Sequence, residues 1–226
     1  MDSSIAIGIV ILSISLILSR VLYVLYWSGR ALPNKSLGSV STLIVLGSGG
    51  HTAEMLNVLS VLQKDSFSPR FYIAAAATDD MSLQKARTYE HQLAHKTGAE
   101  VDKIRTVPRE VGQSYFTSVW TTSIATLNAL WLMLKIRPQV ILCNGPGTCI
   151  PLCAIAFTFK VQKSALNKVV GIRWSSIFYV ESIARVKRSS LSGYILYKLH
   201  MADRFFVQWP QLQRKYPHAH YVGCLM

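Results

Sequence analysis

The chain has 226 residues, half of them hydrophobic, with 24 Lys and Arg against 11 Asp and Glu for a formal charge of +13. That length excludes two full domains but supports one sizeable core with an appendage. The positive balance favours anionic partners, without choosing between lipid head groups, pyrophosphates and nucleic acid.

Ile5 to Trp27 reads IAIGIVILSISLILSRVLYVLYW, 23 residues with Arg20 as the one charge. At helical rise this reaches across a hydrocarbon core of roughly 30 Å, which predicts an N-terminal transmembrane anchor within residues 1–30. Arg20 can extend to the interface, and Tyr23, Tyr26 and Trp27 are suited to the head-group layer. A secretory signal is the competing reading, but Asp2 stands where a basic n-region belongs and no small-residue cleavage site follows. Asp2 precedes the apolar run, whereas Arg20, Arg30 and Lys35 lie at or beyond its far end. The positive-inside rule then places the N-terminus in a lumen and the main domain, residues 31–226, in the cytosol. The sequon Asn34-Lys35-Ser36 reads as a chance match on that side.

After the linker ALPNKSLGS the pattern alternates. TLIVLG at 42–47 predicts a buried parallel strand, and His51 to Leu62 a helix. RFYIAAAA at 70–77 predicts a second strand, followed beyond Asp80 by a helix to about His95. VDKIRTVP at 101–108 is a third strand. Val111 to Leu134 is 24 residues without a charge, yet its first two thirds are rich in Ser, Thr, Gln and Asn. That composition fits a helix lying against a membrane or partner better than a second span, with a buried core helix as the alternative. Gln139 to Asn144 is a fourth strand, followed by a helix from Thr148 to about Val161. Lys168–Ile172 and Ile177–Val180 are strand pieces, Ser189–Ala202 a helix, Arg204–Gln208 a strand, and HYVGCLM a last strand candidate. This alternation implies an α/β, Rossmann-like parallel sheet covered on both faces. Cys143, Cys149, Cys153 and Cys224 form no C-x-x-C pair, so reduced thiols are expected rather than disulfides, and no metal site.

Ligands of such sheets bind beyond the carboxyl ends of the strands, and two glycine loops fall there. Gly47, Ser48, Gly49 and Gly50 follow the first strand; Asn144, Gly145, Pro146, Gly147 and Thr148 follow the fourth. Helix N-termini behind both loops suit an anionic group, a phosphate above all. The dinucleotide fingerprint is a poor match, since Thr52 replaces a small residue and no acid stands at the usual spacing, and the nucleotide-triphosphate loop fails for want of a lysine. His51 opens the helix after the first loop, where the positive helix end disfavours a second ring proton; this suits a general base, a capping histidine being the alternative. Glu181 falls at a strand end with Arg185 behind it. Between Lys160 and Arg188 stand seven basic residues, Lys160, Lys163, Lys168, Arg173, Arg185, Lys187 and Arg188, against Glu181 alone. Such a cluster can neutralise a pyrophosphate or grip an anionic leaflet, or be a solvated loop face.

GSGGHTAEM at 47–55, PREVGQSY at 108–115, NGPGT at 144–148, YVESIARV at 179–186, LSGYILY at 191–197 and ADRFFVQWPQL at 202–212 together resemble, in order, the Alg14 family. That family is the membrane-anchored subunit of the UDP-N-acetylglucosamine transferase of the dolichol pathway, with a bacterial relative, MurG, that carries a similar GGH loop. The resemblance implies the acceptor-side, N-terminal half of a GT-B glycosyltransferase, with a soluble UDP-GlcNAc-binding partner supplying the other half. The chain ends at Met226 soon after its last strand candidate, which fits that division.

What the resemblance further implies is addition of the second GlcNAc to GlcNAc-pyrophosphate-dolichol at the cytosolic face of the endoplasmic reticulum membrane. The acceptor's 4-hydroxyl attacks with inversion, without metal or other cofactor and without nucleic acid as partner. On these terms the two glycine loops and Arg185 hold the acceptor's pyrophosphate or sugar, His51 is the candidate base and Glu181 a candidate catalytic or bracing residue. The C-terminal end, Tyr221, Val222, Gly223 and Leu225, is the candidate docking segment for the partner. GIRWSS before the VES motif departs from the family pattern. Two other readings stand beside this one: a pure membrane scaffold without a reacting group, and a tethered dinucleotide-dependent reductase.

Overall fold

The first strand of the sheet, β1 (Thr42–Val45), is also its pivot: β2 (Arg70–Ile73) pairs parallel on one side and β3 (Val140–Asn144) parallel on the other. A computed structural model describes residues 12, 15, 18, 19, 21–23, 39–47, 49–63, 65–74, 80–97, 115–145, 147, 149–161 and 175–224. Beyond β3 follow β4 (Ser176–Val180), β5 (Arg204–Val207) and the two-residue β6 (His220–Tyr221), all parallel, in the order β2-β1-β3-β4-β5-β6. The strands are near-continuous apolar runs, TLIV and VILCN being buried throughout, because helices cover both faces.

Side chains alternate between two cores, as the twofold strand period requires. Leu43, Val45, Ile141 and Cys143 face one of them, with Ala129, Leu132 and Met133 of α3 (Tyr115–Ile136) and Leu152 and Cys153 of α4 (Cys149–Val161). Leu196 of α5 (Leu191–Lys198) and Leu212 of α6 (Pro210–Lys215) complete that side. Ile44, Leu46 and Leu142 face the other, against Met55 and Leu59 of α1 (Gly50–Val61) and Leu83 and Ala86 of α2 (Asp80–Thr97).

The charge-free segment at 111–134 takes the buried-core alternative in its last turns. From residue 115 it is helical, and Ala129, Leu132 and Met133 are core residues, while Leu127 and Trp131 are 64% and 56% exposed. Lys135 lies over the Trp131 ring at 4.5 Å. Among the described residues no helix is long and apolar enough to cross a membrane. Residues 12, 15, 18, 19 and 21–23 are helical, with Leu12, Leu18 and Leu22 exposed; the rest of the predicted span from Ile5 to Trp27 lies outside the described residues. So do the strand candidates at 101–108 and 168–172.

Several boundaries differ from expectation. The helix foreseen over 189–202 is shorter: Ser190 caps it, accepting from the Gly193 N–H, and it ends before His200, whose φ is 49°. α6 was not foreseen, having one buried apolar residue, Leu212, among polar ones. Lys160 is corrected: it is 1% exposed and its Nζ donates to Asp203, whose other oxygen accepts from the Ile177 N–H at 2.9 Å. Burial lowers its pKa, against the opposing pull of Asp203. It fixes α4 to the start of β4 and cannot contribute to an anion-binding face. Arg185, Lys187 and Arg188 are exposed; Lys163, Lys168 and Arg173 lie outside the described residues.

Candidate functional site

Strand order reverses between β1 and β3, the place beyond whose carboxyl ends sheets of this kind bind ligands. The first loop is pinned from behind. The Gly47 carbonyl accepts from Thr52 Oγ1 and, at 3.2 Å, from Ser82 Oγ of α2. Gly49 then turns the chain into α1 with φ 55° and ψ −112°, a conformation that L-residues with side chains rarely adopt. Gly50 is the first helical residue; Ser48 is outside the described residues.

His51 follows, and the second loop comes to meet it. Gly145 has φ 67°, and a Cβ placed there would stand 2.9 Å from His51 Cε1 and 3.2 Å from Nδ1. The imidazole thus packs directly on a glycine backbone, which is why this position excludes a side chain. Asn144, the last residue of β3, is fully buried and donates from Nδ2 to Glu54 Oε2 at 2.8 Å. The other Glu54 oxygen accepts from Ser182 Oγ at 2.8 Å. His51 Nδ1 is 3.8 Å from Glu54 Oε2, and that nitrogen and Asn144 Oδ1 are buried without a hydrogen-bond partner among the described residues. Gly147 lies in an exposed turn accepting weakly from the Ile150 N–H at 3.4 Å, and Thr148 is outside the described residues.

Glu181 sits at the tip of β4 and is fully buried. Its Oε1 accepts from the Ser182 N–H at 3.1 Å, and its Oε2 from the Ser190 N–H at 3.0 Å, Ser190 Oγ at 3.2 Å and Ser189 Oγ. The carboxylate therefore acts as an anchor at the N-terminus of α5, where the helix dipole favours negative charge. Gly193 is required beside it, since a Cβ there would approach Glu181 Oε2 to 2.4 Å. Tyr179 hydrogen-bonds Ser190 Oγ at 2.8 Å, and burial, reinforced by Glu181, pushes its phenol well above the ordinary range. Arg185 is exposed in the loop that follows, its backbone N–H bonded to the Ser182 carbonyl at 3.0 Å.

The structure thus gathers His51, Gly145 and Asn144 at one place, and sets Glu181 and Arg185 on the adjoining loop. Glu54 and Ser182 are the residues that sequence reasoning missed, although Glu54 stands three positions after His51, the spacing that brings two side chains to one helix face. Behind the second loop Cys143 Sγ and Cys153 Sγ are 3.7 Å apart, and both thiols are pushed well above their usual range, Cys143 by hydrogen bonding with Cys149 and Cys153 and by burial. All four cysteines are free, Cys224 being exposed. At the far sheet edge, Tyr221 and Val222 are exposed and Gly223 has φ 76°; Leu225 is outside the described residues. Among the described residues no group of His, Cys, Asp and Glu is arranged to hold a metal ion.

Residues 42–225 match the family described as oligosaccharide biosynthesis protein Alg14 like. The UDP-N-acetylglucosamine transferase subunit ALG14 of Yarrowia lipolytica is 41% identical over 215 residues, covering 93% of this chain and 94% of that one. The Homo sapiens protein of the same name is 41% identical over 194 residues, 82% of each chain, and that of Schizosaccharomyces pombe 43% over 187 residues, 80% of this chain and 81% of that one. A solved structure of MurG from Acinetobacter baumannii aligns with a TM-score of 0.48 at 13% identity, over 76% of this chain and 42% of that one. With a family match across nearly the whole α/β domain and relatives of more than 40% identity over four fifths of its length, the chain belongs to the Alg14 family.

Proposed function

We propose that this chain is the membrane-associated, acceptor-side subunit of a UDP-N-acetylglucosamine transferase that builds the second GlcNAc onto GlcNAc-pyrophosphate-dolichol at the endoplasmic reticulum. Its partner is a soluble protein that binds UDP-GlcNAc and docks at the C-terminal edge, Tyr221 to Leu225. The observation that carries this reading is the packing of His51 on Gly145, which sets a ring nitrogen between the two loops that a family member would use for acceptor binding. His51 takes the proton of the acceptor hydroxyl as that oxygen bonds the anomeric carbon. The bond from that carbon to the UDP phosphate oxygen breaks, and UDP departs with the electron pair, a reaction in which positioning and proton transfer supply the rate. Arg185, with Lys187 and Arg188, faces the pyrophosphate, and Glu181 braces their loop.

Membrane association is supported by the apolar run at 5–27 and by the exposed Leu127 and Trp131 on α3, which we assign to the cytosolic leaflet. The test is GlcNAc transfer to a lipid-pyrophosphate acceptor by the chain co-expressed with and without its soluble partner. Activity should require both. In the assembled complex His51→Ala should lower turnover by on the order of 100-fold with partner binding intact; unchanged turnover removes His51 from the mechanism and leaves a scaffold.

A further inference from the structure

We infer that Glu54 is the positioning residue of the reaction: its buried carboxylate holds the His51 imidazole with Nδ1 protonated, so that Nε2 is the nitrogen presented to the acceptor hydroxyl. The inference rests on the reading of His51 as the base. Three observations carry it. Glu54 is 8% exposed although ionisable, and such a group is costly to bury unless its charge is used or bonded. Its orientation is fixed from both ends, by Asn144 Nδ2 on Oε2 and Ser182 Oγ on Oε1, so that it cannot turn away from α1. Finally, His51 Nδ1 is buried, lacks a hydrogen-bond partner among the described residues, and has Glu54 Oε2 at 3.8 Å, a gap of the kind that closes when a substrate seats the ring.

The groups facing Glu54 are His51 on its own helix, Asn144 at the end of β3 and Ser182 beyond β4. Asn144 and Ser182 are neutral donors that stabilise the carboxylate without neutralising it. Glu181, the nearest charge in the β4 loop by sequence, is turned to Ser189 and Ser190. The negative charge is therefore left to act on the imidazole. As the hydroxyl proton moves to Nε2 the ring becomes a cation, and the Nδ1–H donated to Glu54 stabilises it, the division of labour of an acid–histidine pair.

The experiment uses the full chain assembled with its soluble partner and measures kcat and KM for the acceptor. Glu54→Gln keeps the shape but removes the charge; its oxygen can still accept from Asn144 Nδ2, while its amide nitrogen fits beside Ser182 once that hydroxyl turns to accept. Expected is a fall in kcat of on the order of 100-fold or more with KM for the acceptor within about twofold. Glu54→Asp, which keeps the charge, should retain a kcat well above that of Glu54→Gln. Wild-type kcat in Glu54→Gln, or a KM that rises as far as kcat falls, overturns the proposal. If Glu54→Gln fails to assemble, a Glu54→Asp complex that assembles with turnover as low as that of His51→Ala does the same. A fully active His51→Ala complex would instead refute the base assignment itself, whereas an inactive His51→Ala beside an indifferent Glu54→Gln refutes only the role of Glu54.

Discussion

Replacing Gly145 by alanine should cost the protein twice, and the two costs are separable. The first is backbone strain: at φ 67° an alanine pays roughly 1–2 kcal/mol that glycine does not. The second is overlap, because the new Cβ would lie 2.9 Å from His51 Cε1, so the ring must shift, at a further ~1–3 kcal/mol by the usual cost of overpacking. In a His51→Ala background the ring is absent and only strain remains. The double-mutant cycle should therefore return a coupling energy of about 1–3 kcal/mol between positions 51 and 145. For a chain of this size each kcal/mol is worth roughly 2–4 °C in Tm, measured on the full chain in detergent micelles. Gly145→Ala should also lower GlcNAc transfer in the complex, because the displaced ring no longer stands between the two glycine loops. Equal Tm losses in the two backgrounds would refute the claim that the imidazole rests on this glycine.

Two further outcomes follow from the same geometry. Tyr179→Phe removes the bond to Ser190, about 1 kcal/mol at neutral pH. Because the folded-state phenol is raised above its unfolded value, the stability it confers is complete below pH ~10 and is lost above it at about 1.4 kcal/mol per pH unit. Wild type and variant should then become equally stable roughly half to one unit above pH 10; Tyr72 and Lys160 titrate alike in both and cancel, and a gap that stays constant through alkaline melts would disprove the buried phenol's role. Leu127→Cys in a Cys224→Ser background, labelled with a polarity-sensitive fluorophore and reconstituted in vesicles containing anionic lipid, should emit at shorter wavelength than a label at Asn57 on the opposite layer. Identical emission at the two positions would remove α3 from the leaflet.

What could be read from the sequence was what local chemistry encodes. TLIV and VILCN announce buried parallel strands because both faces are covered, and the glycines at 47, 49, 50 and 145 announce turns where backbone must come close. The bounds of α5 and the existence of α6 were less legible, since Ser190 as a cap and a lone Leu212 depend on what packs around them. Glu54 was invisible for a different reason. Its partners lie 90 and 128 residues away, so its role exists only after the fold has brought Asn144 and Ser182 to it. Glu181 shows the converse: a carboxylate at a strand tip looked reactive in one dimension, and in three its oxygens are engaged by Ser182, Ser189 and Ser190.

The central place of β1 has a consequence for synthesis. Val45 leaves the ribosome 95 residues ahead of Val140, its neighbour's first residue, so at typical elongation rates of ~5–20 residues per second one flank of the nascent strand waits roughly 5–20 s for its mate. During that interval an apolar ribbon with open amides is exposed to whatever surrounds it, and early chaperone capture, rather than final stability, becomes the step at which variants in residues 42–45 are expected to fail.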